Sequence, residues 1–211
     1  SGIMPIEIMI DTKRRNGATQ LSTLNRLERL ASHIRTVPEL SEPLSIANVA
    51  KYAKQTYYNG NPRYFSMPTR QEYSFIGSYI NNSLSTEGMA ESLIDSTGQY
   101  IRVSTMLKDV NTERMEEIEG DLLTVVGELF PAEKFETEVT GKALGYLKGT
   151  RFLVRNLVLS LSLAVLMIAL FMAFMFRSFR MILISLIPNI IPLILTAGMM
   201  GFLGIPIKPS T

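Results

Sequence analysis

The feature that most constrains this chain is the stretch from Leu157 to Phe176, LVLSLSLAVLMIALFMAFMF, twenty residues without a charge or a proline. Twelve of them are Leu, Ile, Val or Phe. Each contributes roughly −0.3 to −0.6 kcal/mol on an insertion scale, so together they favour lipid by roughly 4 to 7 kcal/mol, weakly opposed by Ser160 and Ser162. At 1.5 Å per residue a helix of this length matches the ~30 Å hydrocarbon core of a bilayer. A second uncharged run, Met181 to Leu203, follows after only Arg177-Ser178-Phe179-Arg180. So short a connector predicts an antiparallel hairpin, with spans at about 153–176 and 181–203. The expected division is therefore a folded domain over 1–150 and a transmembrane hairpin over 151–211.

Charge follows the same partition. Of the 21 basic residues only Arg177, Arg180 and Lys208 lie beyond Arg155, whereas all 19 acidic residues precede it. The stretch up to Arg155 thus carries 18 cations against 19 anions, which gives no electrostatic footprint for nucleic acid. Lys13-Arg14-Arg15 reads as a solvated turn. Without cysteine, neither a disulfide framework nor a thiolate site is possible. The opening Ser1-Gly2-Ile3 shows no charged-then-apolar leader, and the chain stops just after its second apolar run; both ends read as cuts in a longer polypeptide.

Along the folded part, Pro5 to Asp11 alternates with Ile6, Ile8 and Ile10 on one face, as a half-buried strand does. Asn16-Gly17 turns the chain. Leu21, Leu24, Leu27, Leu30, Ala31, Ile34 and Val37 then recur at helical spacing up to Pro38. A short extended piece from Leu44 leads to a helix from about Ala47, and short helices are expected over Thr69 to Ile80 and Gly88 to Asp95. Alternation returns at Tyr100 to Lys108, with Ile101, Val103, Thr105 and Leu107 inward. Asn111-Thr112 cap a helix with an acidic first turn and the stripe Met115, Ile118, Leu122, Val125 and Leu129. Lys134 to Thr140 alternates again. The order β-α, irregular helical middle, β-α-β predicts an α+β fold, a ferredoxin-like (split β-α-β) sandwich with a helical insertion and one wet sheet face.

Candidate chemistry is sparse, and no enzymatic activity is expected. The lone histidine, His33, lies beside an apolar stripe and reads as a surface or packing residue. One His and no Cys leave only an all-oxygen metal site, and no carboxylate spacing suggests one; no metal, catalytic residue or cofactor is expected. Tyr52, Tyr57, Tyr58, Tyr64, Tyr73 and Tyr79 cluster with Phe65, Phe75 and Met67. Tyr52, Tyr57, Tyr58, Tyr64 and Phe65 are the candidate substrate-binding residues, aromatics with polar tips that either line a groove for an amphiphile or form the small core of the insertion. In the second run Pro188 and Pro192 each remove a backbone donor and should kink the helix. Asn189 between them needs a partner at mid-membrane depth. Gly198 and Gly201 permit close helix approach, so these five residues are candidates for a conformational role. Gly141, Gly145 and Gly149 recur every fourth residue before the first span, as one smooth ridge or a weakly helical linker. Neither span carries an acid, so neither can itself bind a proton.

Ile187-Pro188-Asn189, Pro192, Gly198, Met200-Gly201, Gly204-Ile205-Pro206 and Ser210-Thr211 resemble the third or ninth transmembrane segment and exit loop of the resistance-nodulation-division (RND) superfamily, nearest its MMPL-like, hydrophobe/amphiphile-efflux branch of predicted exporters. MPIEIMIDT near the start, Pro38-Glu39 with Leu44-Ser45, and Val139-Thr140-Gly141 resemble the same branch's periplasmic porter domain. The resemblance implies a twelve-span exporter of the bacterial inner (cytoplasmic) membrane, driven by proton influx and moving lipidic or amphiphilic compounds, with 1–150 in the periplasm and the Arg177–Arg180 connector in the cytoplasm. Its partners would be the bilayer, the amphiphilic substrate, the remaining spans and a further copy or periplasmic protein. The family's proton-carrying acids follow in the next span, beyond Thr211, so no family functional residue carries over. Charge alone leaves orientation open, because Lys142, Lys148, Arg151 and Arg155 crowd the domain side and the positive-inside bias weakens when a large domain is translocated. A SecDF-like protein-translocation accessory and a membrane-anchored sensor or scaffold are the competing functional readings.

Overall fold

A computed structural model describes residues 4–85, 92–176 and 179–203. Three strands, β1 (Met4–Asp11), β2 (Tyr100–Leu107) and β3 (Glu136–Thr140), form one antiparallel sheet in the order β2-β1-β3. Alternation fixes the register, because a one-residue slip would turn every core side chain to water. Ile8 therefore sits opposite both Val103 and Val139. Both outer strands run against β1 and so parallel to each other. Ile6, Ile8, Ile10, Ile101, Val103, Thr105, Leu107 and Val139 are buried, while Tyr100 and Met106 on the opposite face are exposed and Glu7 pairs there with Arg102. The protein is thus α+β, with one wet sheet face.

Helices α1 (Leu21–Ile34) and α4 (Thr112–Leu129) pack on each other, and α4 packs on β3. Helix α1 buries Leu24, Leu27, Leu30, Ala31 and Ile34. It ends four residues before Pro38, and Arg35 and Thr36 close the last turn by donating to Ala31 and His33 carbonyls. Proline disfavours the helical region for the residue before it, so the chain must leave the helix ahead of Val37. Asn111 caps α4 by accepting from the Arg114 amide at 2.9 Å. The buried stripe of α4 is Met115, Ile118, Leu122, Val126 and Leu129; Val126 takes the place expected for Val125, which stays half-buried. An i, i+4, i+8 ladder from Ile118 reaches Val126, and that row faces the core. At the end of α4, Arg26 of α1 donates to the Leu129 carbonyl and lies 5.6 Å from the Phe135 ring. Phe130 and Phe135 meet edge to face at 5.2 Å.

Two further helices, α2 (Ile46–Tyr57) and α3 (Arg70–Ser85), pack on each other, and α2 also packs on α1 and β2. The segment before α2 runs along the outer edge of β2, bridging Leu40 to Leu107 and Leu44 to Ser104. The helix expected over Gly88 to Asp95 is not formed where the chain is described. Leu93 accepts from the Arg102 amide and Ile94 bridges Ile101, and the Asp95 carboxylate accepts from the amides of Thr97, Gln99 and Tyr100. Sheet pairing and an Asx turn satisfy these groups in place of helical bonds. Residues 86–91 lie outside the described residues.

The chain divides into two compact units, Ser1–Gly145 and Tyr146–Thr211. Helix α5 runs from Lys142 to Phe176 and α6 from Phe179 to Phe202. Gly141 does not join a glycine ridge on α5, one of the two readings its four-residue spacing left open. Its φ of +119° makes it the turn between β3 and that helix, and a side chain there would meet the Pro5 carbonyl at 2.6 Å. A Cβ added at Gly145 or Gly149 would meet nothing within 4 Å.

Among the described residues one helix is long and apolar enough to cross a membrane, Lys142–Met175, and none of its most apolar stretch is buried. Within that apolar stretch the two serine hydroxyls bond the helix's own carbonyls. Ser160 donates to the Leu157 carbonyl at 3.0 Å and Ser162 to Val158 at 2.8 Å.

Candidate functional site

The candidate site grows from α2. Ser45 and Asn48 form a reciprocal capping box at its start, which fixes where its faces point. The inward face is small, with Ala47, Ala50 and Ala53 buried beside Ile46, so the large side chains of α2 fall on the outer face or its rim. Asn59 and Gly60 then adopt positive φ and reverse the chain. Asn61 accepts from the Arg63 amide at 3.0 Å and starts a 3₁₀ turn at Pro62–Tyr64. Thr69 and Glu72 form a second capping box at the head of α3: the Thr69 amide donates to Glu72 at 2.7 Å and the Glu72 amide to Thr69 Oγ1 at 3.3 Å.

This path places the predicted aromatics side by side. The Tyr58 and Tyr64 rings stack at 4.1 Å, Tyr52 meets Phe65 edge-on at 4.8 Å, and Tyr57 touches Tyr58 at 5.3 Å and Phe75 at 5.2 Å. They are not a core. Tyr52 is 60% exposed, and Tyr57, Tyr64, Phe65 and Phe75 lie between 39% and 42%. The core beneath α2 and α3 is built instead from the alanines of α2 and fully buried Ile76. Tyr58 and Tyr73 are half-buried. Tyr73 is tied by its hydroxyl to the Thr19 carbonyl, Met67 is half-buried, and the Tyr79 side chain lies outside the described residues.

Beneath the rings lies a charge layer that sequence reading missed. Lys51 and Lys54 are buried. Lys51 pairs with Glu28 of α1 and lies 5.6 Å from the Phe65 ring centre, within cation–π range. Lys54 pairs with Glu72 at 2.9 Å and donates to the Met67 carbonyl at 3.3 Å. Glu72 also accepts from the Tyr58 hydroxyl at 3.2 Å. The Thr69 amide, and then Lys54, hold the Glu72 carboxylate down at about 2 against the opposing effect of burial. Burial first, and the Glu72 hydrogen bond second, push the Tyr58 hydroxyl up. Arg35 extends the layer by bridging Glu28 at 3.2 Å and Glu42 at 2.7 Å. The Thr-x-x-Glu spacing at Thr69 was the one local signal for Glu72; nothing local announces the lysines, whose partners come from other helices.

Lys54 holds the Met67 backbone under the rings, and the rings give apolar area with polar tips. Among the described residues no group of three or more His, Asp or Glu converges on a point. His33 meets Asp121 of α4 at 2.7 Å, a tether between α1 and α4.

The second set of candidates lies on α6, which continues as helix through Pro188 and Pro192. Thr196 donates to the Pro192 carbonyl at 2.7 Å. Among the described residues, a Cβ added at Gly198 or Gly201 would meet nothing within 4 Å. The side chain of Asn189, together with Gly204, Pro206, Ser210 and Thr211, lies outside the described residues. No protein-family model matches this chain, and no curated protein matches it.

Proposed function

We propose that these residues form part of a proton-driven, RND-type exporter of lipidic or amphiphilic compounds in a bacterial inner membrane. The α+β unit would stand on the periplasmic side and α5 and α6 would cross the bilayer as a hairpin. The observation that carries the proposal is the IPNIIP…GMMGFLGIP pattern of α6 and its exit, following an α5 of bilayer-spanning length. Val165, Ala169, Met172 and Ala173 are the half-buried positions of the lipid-length part of α5. They share one stripe at i, i+4 and i+7 or i+8, which supports a second helix lying against it.

The porter-like reading of the folded unit draws on its connections. The passage β2-α4-β3 joins two parallel strands with β1 between them, the arrangement of a split β-α-β unit. The Leu40 and Leu44 bridges on the outer edge of β2 stand where the fourth strand of a ferredoxin-like sheet would pair, with α2 and α3 as the helical insertion. The exposed rings of Tyr52, Tyr57, Tyr64 and Phe65 would take up the apolar body of the substrate, with hydroxyl tips meeting its polar end.

The test is transport by the intact gene product in proteoliposomes under an imposed proton gradient. The proposal expects release of a fluorescent amphiphile that stops when the gradient is collapsed, and slows several-fold in Y52A/F65A. Gradient-independent release, or none, would refute it.

A further inference from the structure

The two edges of the sheet are treated differently. On the outer side of β2, Leu44 and Ser104 exchange amide–carbonyl bonds and the Arg102 amide donates to Leu93. The even-numbered residues of β2 therefore turn their backbone groups away from β1, and the odd-numbered ones turn toward it. Carried through the register, the even-numbered residues of β1 bond β2, and Glu7, Met9 and Asp11 bond Thr140, Glu138 and Glu136 of β3. Thr137 and Val139 are left aiming their N–H and C=O groups off the sheet. Among the described residues no strand or bridge pairs with that side of β3, and no hydrogen bond reaches those four groups.

The side chains along this edge say what fits it. Glu136 and Glu138 are exposed on the wet face, whereas Val139 is buried and Thr137 half-buried on the helix-covered face. Behind the two acids stand Asp11 and Met9, so the neighbouring strand offers no cation. Arg102, beyond Met9 on β2, is paired with Glu7. Lys13 and Lys134 lie ahead of the strand, and Lys13 donates to the Ala132 carbonyl at 3.2 Å. Among the described residues no ion pair reaches Glu136 or Glu138. Like charges facing each other across strands repel, so a second β3 laid on this edge would set glutamate against glutamate. The two acids thus guard the edge against self-pairing and at the same time select for a basic strand. We propose that the outer edge of β3 is a docking surface for an extended segment of a partner polypeptide, added as a further strand. Its backbone would pair with Thr137 and Val139, with basic residues beside Glu136 and Glu138 and apolar residues beside Thr137 and Val139. Main-chain bonds would supply affinity, and the alternation of charge and apolar surface would supply specificity. Neither transport nor the crossing of a bilayer enters this inference.

The test uses the full chain in a non-ionic detergent and a fluorescent blocked peptide of alternating lysine and valine, KVKVKVK. Binding is read by anisotropy, and its place by hydrogen exchange of the segment 135–141. The peptide should bind saturably and slow exchange in that segment by about ten-fold or more. Glutamate in place of the lysines should abolish binding. So should N-methylation of the valines, which keeps every charge but removes the N–H groups that face Thr137 and Val139. E136Q and E138Q should each weaken binding about two- to five-fold. T137P deletes an outward N–H at an edge position where proline is tolerated; it should abolish protection with the near-ultraviolet circular dichroism unchanged, and if it fails to fold, the methylated peptide and the glutamine variants decide. No binding, equal binding of the methylated peptide, or protection outside 135–141 would overturn the inference. A dimer of the chain that shields 135–141 without peptide would give the edge to a second copy and overturn it as well.

Discussion

Gly141 is the point at which the fold is most exposed to a single methyl group. It joins β3 to α5 at φ +119°, a region essentially closed to other residues, where a side chain costs about 1–3 kcal/mol. A Cβ there would also approach the Pro5 carbonyl to 2.6 Å, the Ile6 Cα to 3.0 Å and the Glu7 amide to 3.1 Å. All three are backbone atoms of β1 and cannot swing aside, so overpacking adds about 1–3 kcal/mol. Gly141→Ala should therefore lose about 2–6 kcal/mol. Gly60→Ala is the matched control, because Gly60 also has positive φ (+75°) but nothing within 4 Å of a new Cβ. Its strain of about 1–2 kcal/mol is partly offset by about 0.4–1 kcal/mol from a stiffer unfolded chain. Thermal unfolding followed by near-ultraviolet circular dichroism reads the folded unit, since of the 8 tyrosines only Tyr146 lies beyond Gly141. At about 4 °C per kcal/mol, G141A should melt about 8 °C or more below the wild type and G60A within about 6 °C. Equal melting of the two variants would refute the close approach of this turn to β1.

Other outcomes follow from single contacts. Glu72 is held at about 2 when folded against an ordinary value near 4.5, so the stability it contributes is complete above pH 4.5 and drains away as the pH falls toward 2; in E72Q, acid titrations of stability should be flatter through that window and the neutral-pH value lower by roughly 2–4 kcal/mol, since buried Lys54 loses its partner. Val126→Ala should cost about 1.5–3 kcal/mol in urea unfolding and Val125→Ala under 1 kcal/mol, because only Val126 is buried. Breaking the exposed His33–Asp121 contact with His33→Ala should cost at most about 1 kcal/mol in the same measurement.

Strands and the helices α1 and α4 were legible because period and burial coincide: every inward residue expected on β1 and β2 is buried, and Leu24 through Ile34 line α1 as their spacing predicts. Where two apolar residues stand adjacent, as at Val125-Val126, spacing alone cannot choose; the core geometry did. The aromatic cluster was visible as composition but its placement was not. Whether six rings fill a core or coat a surface depends on what occupies the space beneath α2, and three alanines with Ile76 occupy it. The ion pairs Lys51–Glu28 and Lys54–Glu72 join residues from different helices, so no window of sequence contains them. Gly141 was not legible for a related reason: a four-residue glycine period fits a helix face or a linker, but the requirement that set this glycine is the nearness of β1, which is more than a hundred positions away in the chain.

The most direct measurement of the central claim exploits a chain that has no cysteine of its own. Single cysteines at Ser96 in the folded unit, Ser160 in α5 and Ser178 in the connector can each be challenged in cells with a membrane-impermeant maleimide. A hairpin with the folded unit outside predicts rapid labelling at Ser96→Cys, labelling at Ser178→Cys only after the inner membrane is permeabilised, and protection at Ser160→Cys in both conditions. Labelling of Ser160→Cys as fast as Ser96→Cys would place α5 in water and contradict the account.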